Sequence, residues 1–312
     1  AERGGVGEGT VSLVRCVGGG VAALVGVVRA VGVVPGDGAW QGRGRGGRPE
    51  ALEELRAEMG LGARRIRRFA EWAGDARRGD WGTSAATGAP VADLLLGPLG
   101  RSLAITICVL VGVSIVGIGG GILAGSRTGG RLDKVFSSAA LAAICTPEFV
   151  LGTALVFVFA TSFGWLPAVS TIPAGGSIVD RPEALVLPAL TITLVGGATL
   201  LRQVRAVIAA QADRPHIEAA TLSGFHPAYV VVRHMVPGAL PAIAQASALI
   251  VPYVVGGAVV VERVFGFPGI GSVLVGAIAN RDIDVVMGAS FVLVLVSVFG
   301  YAVADQLGRE RR

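Results

Sequence analysis

The sequence predicts an all-α polytopic membrane protein with six transmembrane helices and a small extracytoplasmic insert after the first helix. Three observations predict it. Of 312 residues, 52% are hydrophobic and only 16% charged, whereas an average soluble domain carries roughly 25% charged residues. Mean hydropathy is +0.67, and uncharged runs of membrane-spanning length recur along the chain. The few basic residues sort by side of the membrane. Disorder is excluded because a disordered chain is polar, and a disulfide scaffold because there are only three cysteines.

The spans follow in order. Val11–Val34 is the weakest, because it contains Arg15 and Arg29 and the run Gly18-Gly19-Gly20. Its basic start and apolar stretch resemble a signal peptide, but no cleavage site precedes a separate mature domain, so an uncleaved first span is expected. Ser102–Ser126 has no charge, Val135–Phe163 has only Glu148, and Ala184–Leu201, Ala242–Val261 and Val285–Ala304 have none. Gly117-x-x-x-Gly121-x-x-x-Gly125 has the small-residue spacing that lets helix backbones approach. Pro147, Pro188 and Pro252 lie inside spans, where each frees a carbonyl and bends the helix. Such kinks belong either to ordinary packing or to helices that rock about a path.

Six spans place both termini on one side. Loops 126–134 and 202–241 with the tail 305–312 hold ten basic residues, against three (Arg181, Arg263, Arg281) in loops 165–183 and 262–284. The positive-inside rule makes the first set, and both termini, cytoplasmic. Segment 35–96 carries ten arginines and nine acids; a segment that long crosses largely regardless of charge. Helical patterns at Ala51–Met59 and Arg64–Ala76 make it a small folded insert. The expected organisation is residues 1–34 as tail and first helix, 35–96 as the insert, and 97–312 as a five-helix core containing the cytoplasmic loop 202–241.

Charge and motif content narrow the chemistry. The only lysine, Lys134, sits between Asp133 and Val135, so the chain has no P-loop, which needs a lysine on the phosphates. The net charge of +5 is read through membrane sidedness, with no nucleic-acid partner. His216, His226 and His234 share one loop, but no cysteine or acid cluster joins them and no metal site is expected. Cys16, Cys108 and Cys145 read as small packing residues in apolar spans. Gly42-x-Gly44-x-x-Gly47 matches a dinucleotide fingerprint in letters only, with no strand before it and Pro49 after it. No catalytic residues are expected.

The 202–241 loop is the informative one. Pro215 can begin a short helix and Gly224 end it. Such a helix is expected to present Ile217, Ala220, Thr221 and Leu222 at the surface, with Glu218 as one carboxylate, suiting a groove on a partner. The stretch Glu218-Ala219-Ala220-Thr221-Leu222-Ser223-Gly224, nine residues, then His234-Met235-Val236-Pro237 resembles the EAA loop of bacterial ABC importer permeases. His234 and Val236 stand where that pattern has Ile and Leu. The pair Arg233-His234 is similar to the dipeptide/oligopeptide/nickel class. So are Val34-Pro35-Gly36-Asp37, the run Arg78–Ser84 with Gly88-x-Pro90-Val91, and Gly256–Glu262 continuing through Phe265, Pro268-Gly269-x-Gly271 and Arg281-Asp282. The resemblance covers about residue 11 to the end.

That resemblance implies the type I ABC importer permease fold, in the bacterial inner membrane. It implies a second homologous permease subunit, two ATPase subunits and an extracytoplasmic solute-binding protein as partners, with the lipid membrane around them. It implies no cofactor on this chain, ATP and Mg residing on the ATPases, and alternating access driven through a coupling helix made of Glu218, Ala219, Ala220, Thr221, Leu222 and Gly224. The departures are Arg29 near the outer end of the first span, Gly38 after Pro-Gly-Asp, and Pro237-Gly238 in place of a polar pair.

Glu148, beside Pro147, is the one acid well inside a span. An intramembrane carboxylate is costly, so it faces a cavity or a partner: either a pathway-lining group meeting a cationic substrate amine, or a bonded residue at a subunit interface. Glu262, Phe265, Pro268 and Asp282, with Arg263, Arg281 and Asp284, border the last external loop. They read as a gate or docking edge, or else as local ion pairs worth little individually. An ion-coupled secondary transporter and a scaffold that only recruits an ATPase are the competing functions. The first needs more intramembrane acids than Glu148 and leaves the EAA-like loop unexplained; loss of ATPase stimulation without loss of uptake in a Glu218 or Gly224 variant favours the second.

Overall fold

The computed structural model describes residues 65–173 and 178–309. The first span, the Pro-Gly-Asp motif, the 41–48 segment and the Ala51–Met59 pattern lie outside the described residues. Within them the chain is helical: α1 Arg65–Ala76, α2 Val91–Gly125, α3 Arg131–Cys145, α4 Glu148–Ser162, α5 Glu183–Ala212, α6 Pro215–Leu222, α7 Pro227–Phe265, α8 Ile270–Ala279 and α9 Ile283–Arg309. The short insert helix expected over 64–76 is present as α1. Four of these helices, α2, α5, α7 and α9, are long and apolar enough to cross a membrane. The described residues fall into two compact units, those up to 99 with 273–295, and those from 100 to 272 with 296–309.

The larger unit is built on α5. Along α2 the residues Ile105, Val109, Val113, Gly117, Gly121 and Ala124 are buried, while Ile107, Val111, Ile115 and Leu123 face outward. The inward stripe has helical spacing. The outward stripe stays apolar, as a lipid-facing surface requires. A Cβ built on Gly117 falls 2.7 Å from Leu200 Cβ, on Gly121 2.6 Å from Val204 Cβ, and on Gly125 2.9 Å from Ile208 Cβ. Three glycines four residues apart thus seat three α5 positions four apart, so the spacing is a backbone-to-backbone seam. Partners rise together along both helices, so α2 and α5 run parallel.

The Val135–Phe163 stretch, expected as one kinked span, is two helices bent by 106° at residues 146–147. The cause is local. Pro147 forces its predecessor out of the α region, and Thr146 (φ −97°, ψ 126°) and Pro147 (φ −57°, ψ 141°) are both extended. Thr146 Oγ1 donates to the Ala142 carbonyl at 2.8 Å. Val150 and Leu151 N–H donate to the Pro147 carbonyl. The break is therefore hydrogen-bonded, as an apolar surrounding demands.

Register decides what the broken pair does. Asp133 meets Arg205, Ala140 packs with Ala198 and Leu201, and Gly152 lies against Thr191. The contacts descend α5 steadily as the chain advances. The pair α3–α4 thus traverses the bundle once, against α5, rather than turning back on itself. On the other side α7 is antiparallel to α5, with Gly238 against Gln211 and Gly196 against Tyr253. Among the described residues this makes four long apolar helices, or five spans where the broken pair is taken as one.

The smaller unit holds a trio of edge-on rings, Trp72, Trp81 and Phe291, with centroids 5.7–6.3 Å apart. Trp72 Nε1 donates to the Trp81 carbonyl at 3.2 Å. Gly82 (φ +81°) turns the chain so that its carbonyl accepts from Val91 N–H at 3.0 Å.

Candidate functional site

The segment 213–235 forms a compact motif between α5 and α7. Arg214 is extended and Pro215 opens α6, where its missing N–H costs nothing. Gly224 (φ +78°) closes the turn after it, a conformation other residues adopt only with strain. The expected helix is therefore present, but its face differs. Ile217 and Ala220, expected at the surface, are buried with Ile208, Val230, Met235 and Ala239. Spaced three apart, they form the inner stripe of a short helix. Glu218, Ala219 and Thr221 are exposed, and Leu222 is 81% exposed. Gln211 Nε2 donates to the Gly238 carbonyl at 3.3 Å, joining the helix ends that frame the motif.

Sequence reading missed the aromatic half of this surface. Phe225 and Tyr229 stack at 5.3 Å, and His234 meets the Tyr229 ring edge-on at 5.8 Å. Phe225, Tyr229 and Val232 are all exposed. His226, read as a solvated residue, accepts the Ala228 N–H at Nδ1 and caps the next helix. The signal was available: aromatics at 225 and 229 stand four residues apart on either side of Pro227, which begins the next helix.

A second cluster surrounds Glu262, which is 1% exposed. Gly266 (φ +63°) ends α7, and Phe267 N–H returns to the Glu262 carbonyl at 2.8 Å. The Glu262 carboxylate accepts from Ser102 Oγ at 2.5 Å, from Gly271 N–H at 2.8 Å and from Ser272 N–H at 3.3 Å. Ser102 Oγ in turn accepts Ile270 N–H at 2.8 Å. Two side chains thus cap the first turn of α8, where anionic oxygens are favoured. A Cβ on Gly269 overlaps the Glu262 carboxylate, and one on Gly271 sits 2.5 Å from Val259 Cα. Arg101 Nε donates to the Pro268 carbonyl at 2.8 Å, and Phe265 and Phe267 are fully buried beneath. Among the described residues, Glu262 is held by neutral donors and by no ion pair.

Asp282 is likewise buried, in the smaller unit. It accepts from Ser84 Oγ at 2.5 Å and Ala86 N–H at 3.3 Å. Ser84 thus ties the end of the Arg78–Ser84 run to the Arg281-Asp282 pair. Arg281 itself is left-handed (φ 56°) just past α8.

Pro147 and Glu148 stand at the break between α3 and α4. Glu148 is half-buried and accepts a hydrogen bond from the Tyr253 hydroxyl of α7. At the start of α3, Asp133 accepts two bonds from Arg205, at 2.6 and 2.7 Å, and one from Gly129 N–H at 2.9 Å. That bidentate pair clamps the 126–131 turn to α5. Cys108 and Cys145 are free and face outward, so within this chain they do not pack as expected.

Among the described residues the architecture is helical, with apolar spans and a short helix displayed between two of them, as in a polytopic membrane protein. Residues 117–309 match the family described as binding-protein-dependent transport system inner membrane component, and the chain belongs to that family. It is 29% identical over 279 residues to a probable peptide ABC transporter permease protein, y4tP, of Sinorhizobium fredii, covering 89% of this chain and 88% of that one. It is 28% identical to the oligopeptide transport system permease protein AppB of Bacillus subtilis, covering 82% of each. The glutathione transport system permease protein GsiC of Escherichia coli is also 28% identical, over 89% of this chain and 88% of its own. A chain of the MetNI methionine ABC transporter, solved in inward-facing conformations, shares the fold with TM-score 0.56 at 19% identity, over 70% of this chain and 96% of that one.

Proposed function

We propose that this chain is a permease subunit of an ATP-driven ABC importer that forms half of a translocation path for peptides or a related small solute. Family membership carries the permease assignment, and the peptide class rests on the names of the relatives. The full chain has six spans, an extracytoplasmic insert at 35–96 and both termini in the cytoplasm. A second homologous permease completes the path, and an extracytoplasmic binding protein delivers the solute. ATP and Mg sit on two partner ATPases, which fits a chain whose sequence lacks a P-loop.

The α6 motif supports the coupling role. Ile217 and Ala220 anchor it in the core, so α6 moves with α5 and α7, while Leu222, Phe225 and Tyr229 stay uncovered. Exposed apolar groups around one carboxylate suit a groove on the ATPase. Closure of the ATPases displaces α6, and its anchors pass the displacement to the spans as rigid-body motion. A photo-crosslinker at Leu222 is expected to form an adduct with the ATPase in the assembled complex, and one at Leu123, on the outward face of α2, is expected to form none. Equal yields at both positions contradict the assignment.

A further inference from the structure

The Glu148 carboxylate has more acceptor capacity than its surroundings use. A carboxylate has about four lone-pair sites, yet the Tyr253 hydroxyl is its one hydrogen-bond donor among the described residues. No Arg, Lys or His among those residues pairs with it. An acid inside a span with a single neutral donor calls for water or a cation. The site is also not closed. Glu148 is half-buried, and Tyr253 keeps 36% of its surface exposed. Two glycines shape it: a Cβ on Gly257 falls 3.1 Å from Glu148 Oε1, and one on Gly196 3.4 Å from the Tyr253 ring. One turn away, Gly256 faces open space.

We propose that Glu148 and Tyr253, at the break in the α3–α4 traverse, form a contact on the translocation path for a positively charged amine, such as the free α-ammonium group of a peptide. The proposal rests on the permease reading for its solute. Its geometry comes from the break: the extended Thr146-Pro147 step brings the first residue of α4 to α7, where Tyr253 holds one carboxylate oxygen. The remaining lone pairs accept N–H donors of the passing ammonium, and the Tyr253 ring face adds a cation–π surface. Tyr253 is a positioning residue that also touches the solute; Glu148 sets the preference for positive charge.

The test uses the assembled, detergent-solubilised complex with Cys16, Cys108 and Cys145 changed to Ala. Tyr253→Cys and, separately, Gly256→Cys are reacted with a cationic (trimethylammonium-ethyl) and an anionic (sulfonatoethyl) methanethiosulfonate, with and without ATP and Mg. Gly256→Cys leaves the Glu148–Tyr253 pair intact and fills open space, so it covers the case in which Tyr253→Cys misfolds. Reaction with both reagents is expected, with the cationic-to-anionic rate ratio falling about tenfold when Glu148→Gln is added, the scale of one charge at close range in a partly hydrated site. No reaction at either position, or a ratio unchanged by Glu148→Gln, overturns the proposal. The assay needs no transported solute. The permease reading fails separately, if the complete wild-type system shows no ATP-driven uptake.

Discussion

Glu262 shows what a single buried side chain does in this protein. Its carboxylate and Ser102 satisfy three N–H groups at the start of α8 and tie α2 to the end of α7. Glu262→Gln presents an amide N–H₂ to groups that already donate, leaving one or more unsatisfied at about 1–3 kcal/mol each. The variant is expected to lower the thermal midpoint of the purified complex by several degrees, and an unchanged midpoint contradicts the capping role. The motif around Glu262 is legible in the sequence, but its role is not. Its principal side-chain partner lies 160 residues away, and a row of letters does not reveal a contact at that separation. The same holds for Asp282 and Ser84, 198 residues apart. Sequence reading left both acids as part of a gate or docking edge, or of local ion pairs; among the described residues each is buried and bonded to neutral donors.

At the scale of elements, helices were legible where one local rule decides and illegible where tertiary context does. The Gly117, Gly121, Gly125 spacing announced a seam, and its partners Leu200, Val204 and Ile208 complete it. Gly121→Leu is expected to cost several kcal/mol by overpacking, since the seam has no room even for a methyl group. Gly119→Ala, into open space on the same helix, is the control that keeps normal yield. Fluorescence-detected size-exclusion chromatography compares the two. Pro147 announced a kink, but the size of the bend depends on Thr146 also leaving the helix. The inner face of α6 was misread because a helix of two turns offers little periodicity, and its neighbours Val230 and Met235 come from the next element. The Asp133–Arg205 pair is partly buried, with Asp133 nearly inaccessible. Arg205→Ala leaves that carboxylate without its partner and is expected to lower the thermal midpoint. Thermal unfolding reads it, and the double variant with Asp133→Ala is expected to recover part of the loss.

For the whole molecule, composition alone was enough to place the chain in a membrane, because no rearrangement gives a chain with 16% charged residues a soluble skin. The orientation, the first span and most of the insert are expectations read from the sequence. In the proposed function, α6 carries the force of a partner ATPase into the spans. Its anchors are buried and its outer face is bare, so the two functions separate by substitution. Leu222→Asp changes only the bare face. In proteoliposomes holding the complete complex with its binding protein, this variant is predicted to keep the wild-type thermal midpoint while losing ATP-driven solute uptake and substrate-stimulated ATP hydrolysis together, by tenfold or more, the loss of about 1.4 kcal/mol of coupling. Wild-type uptake by a Leu222→Asp complex with normal subunit content contradicts the account.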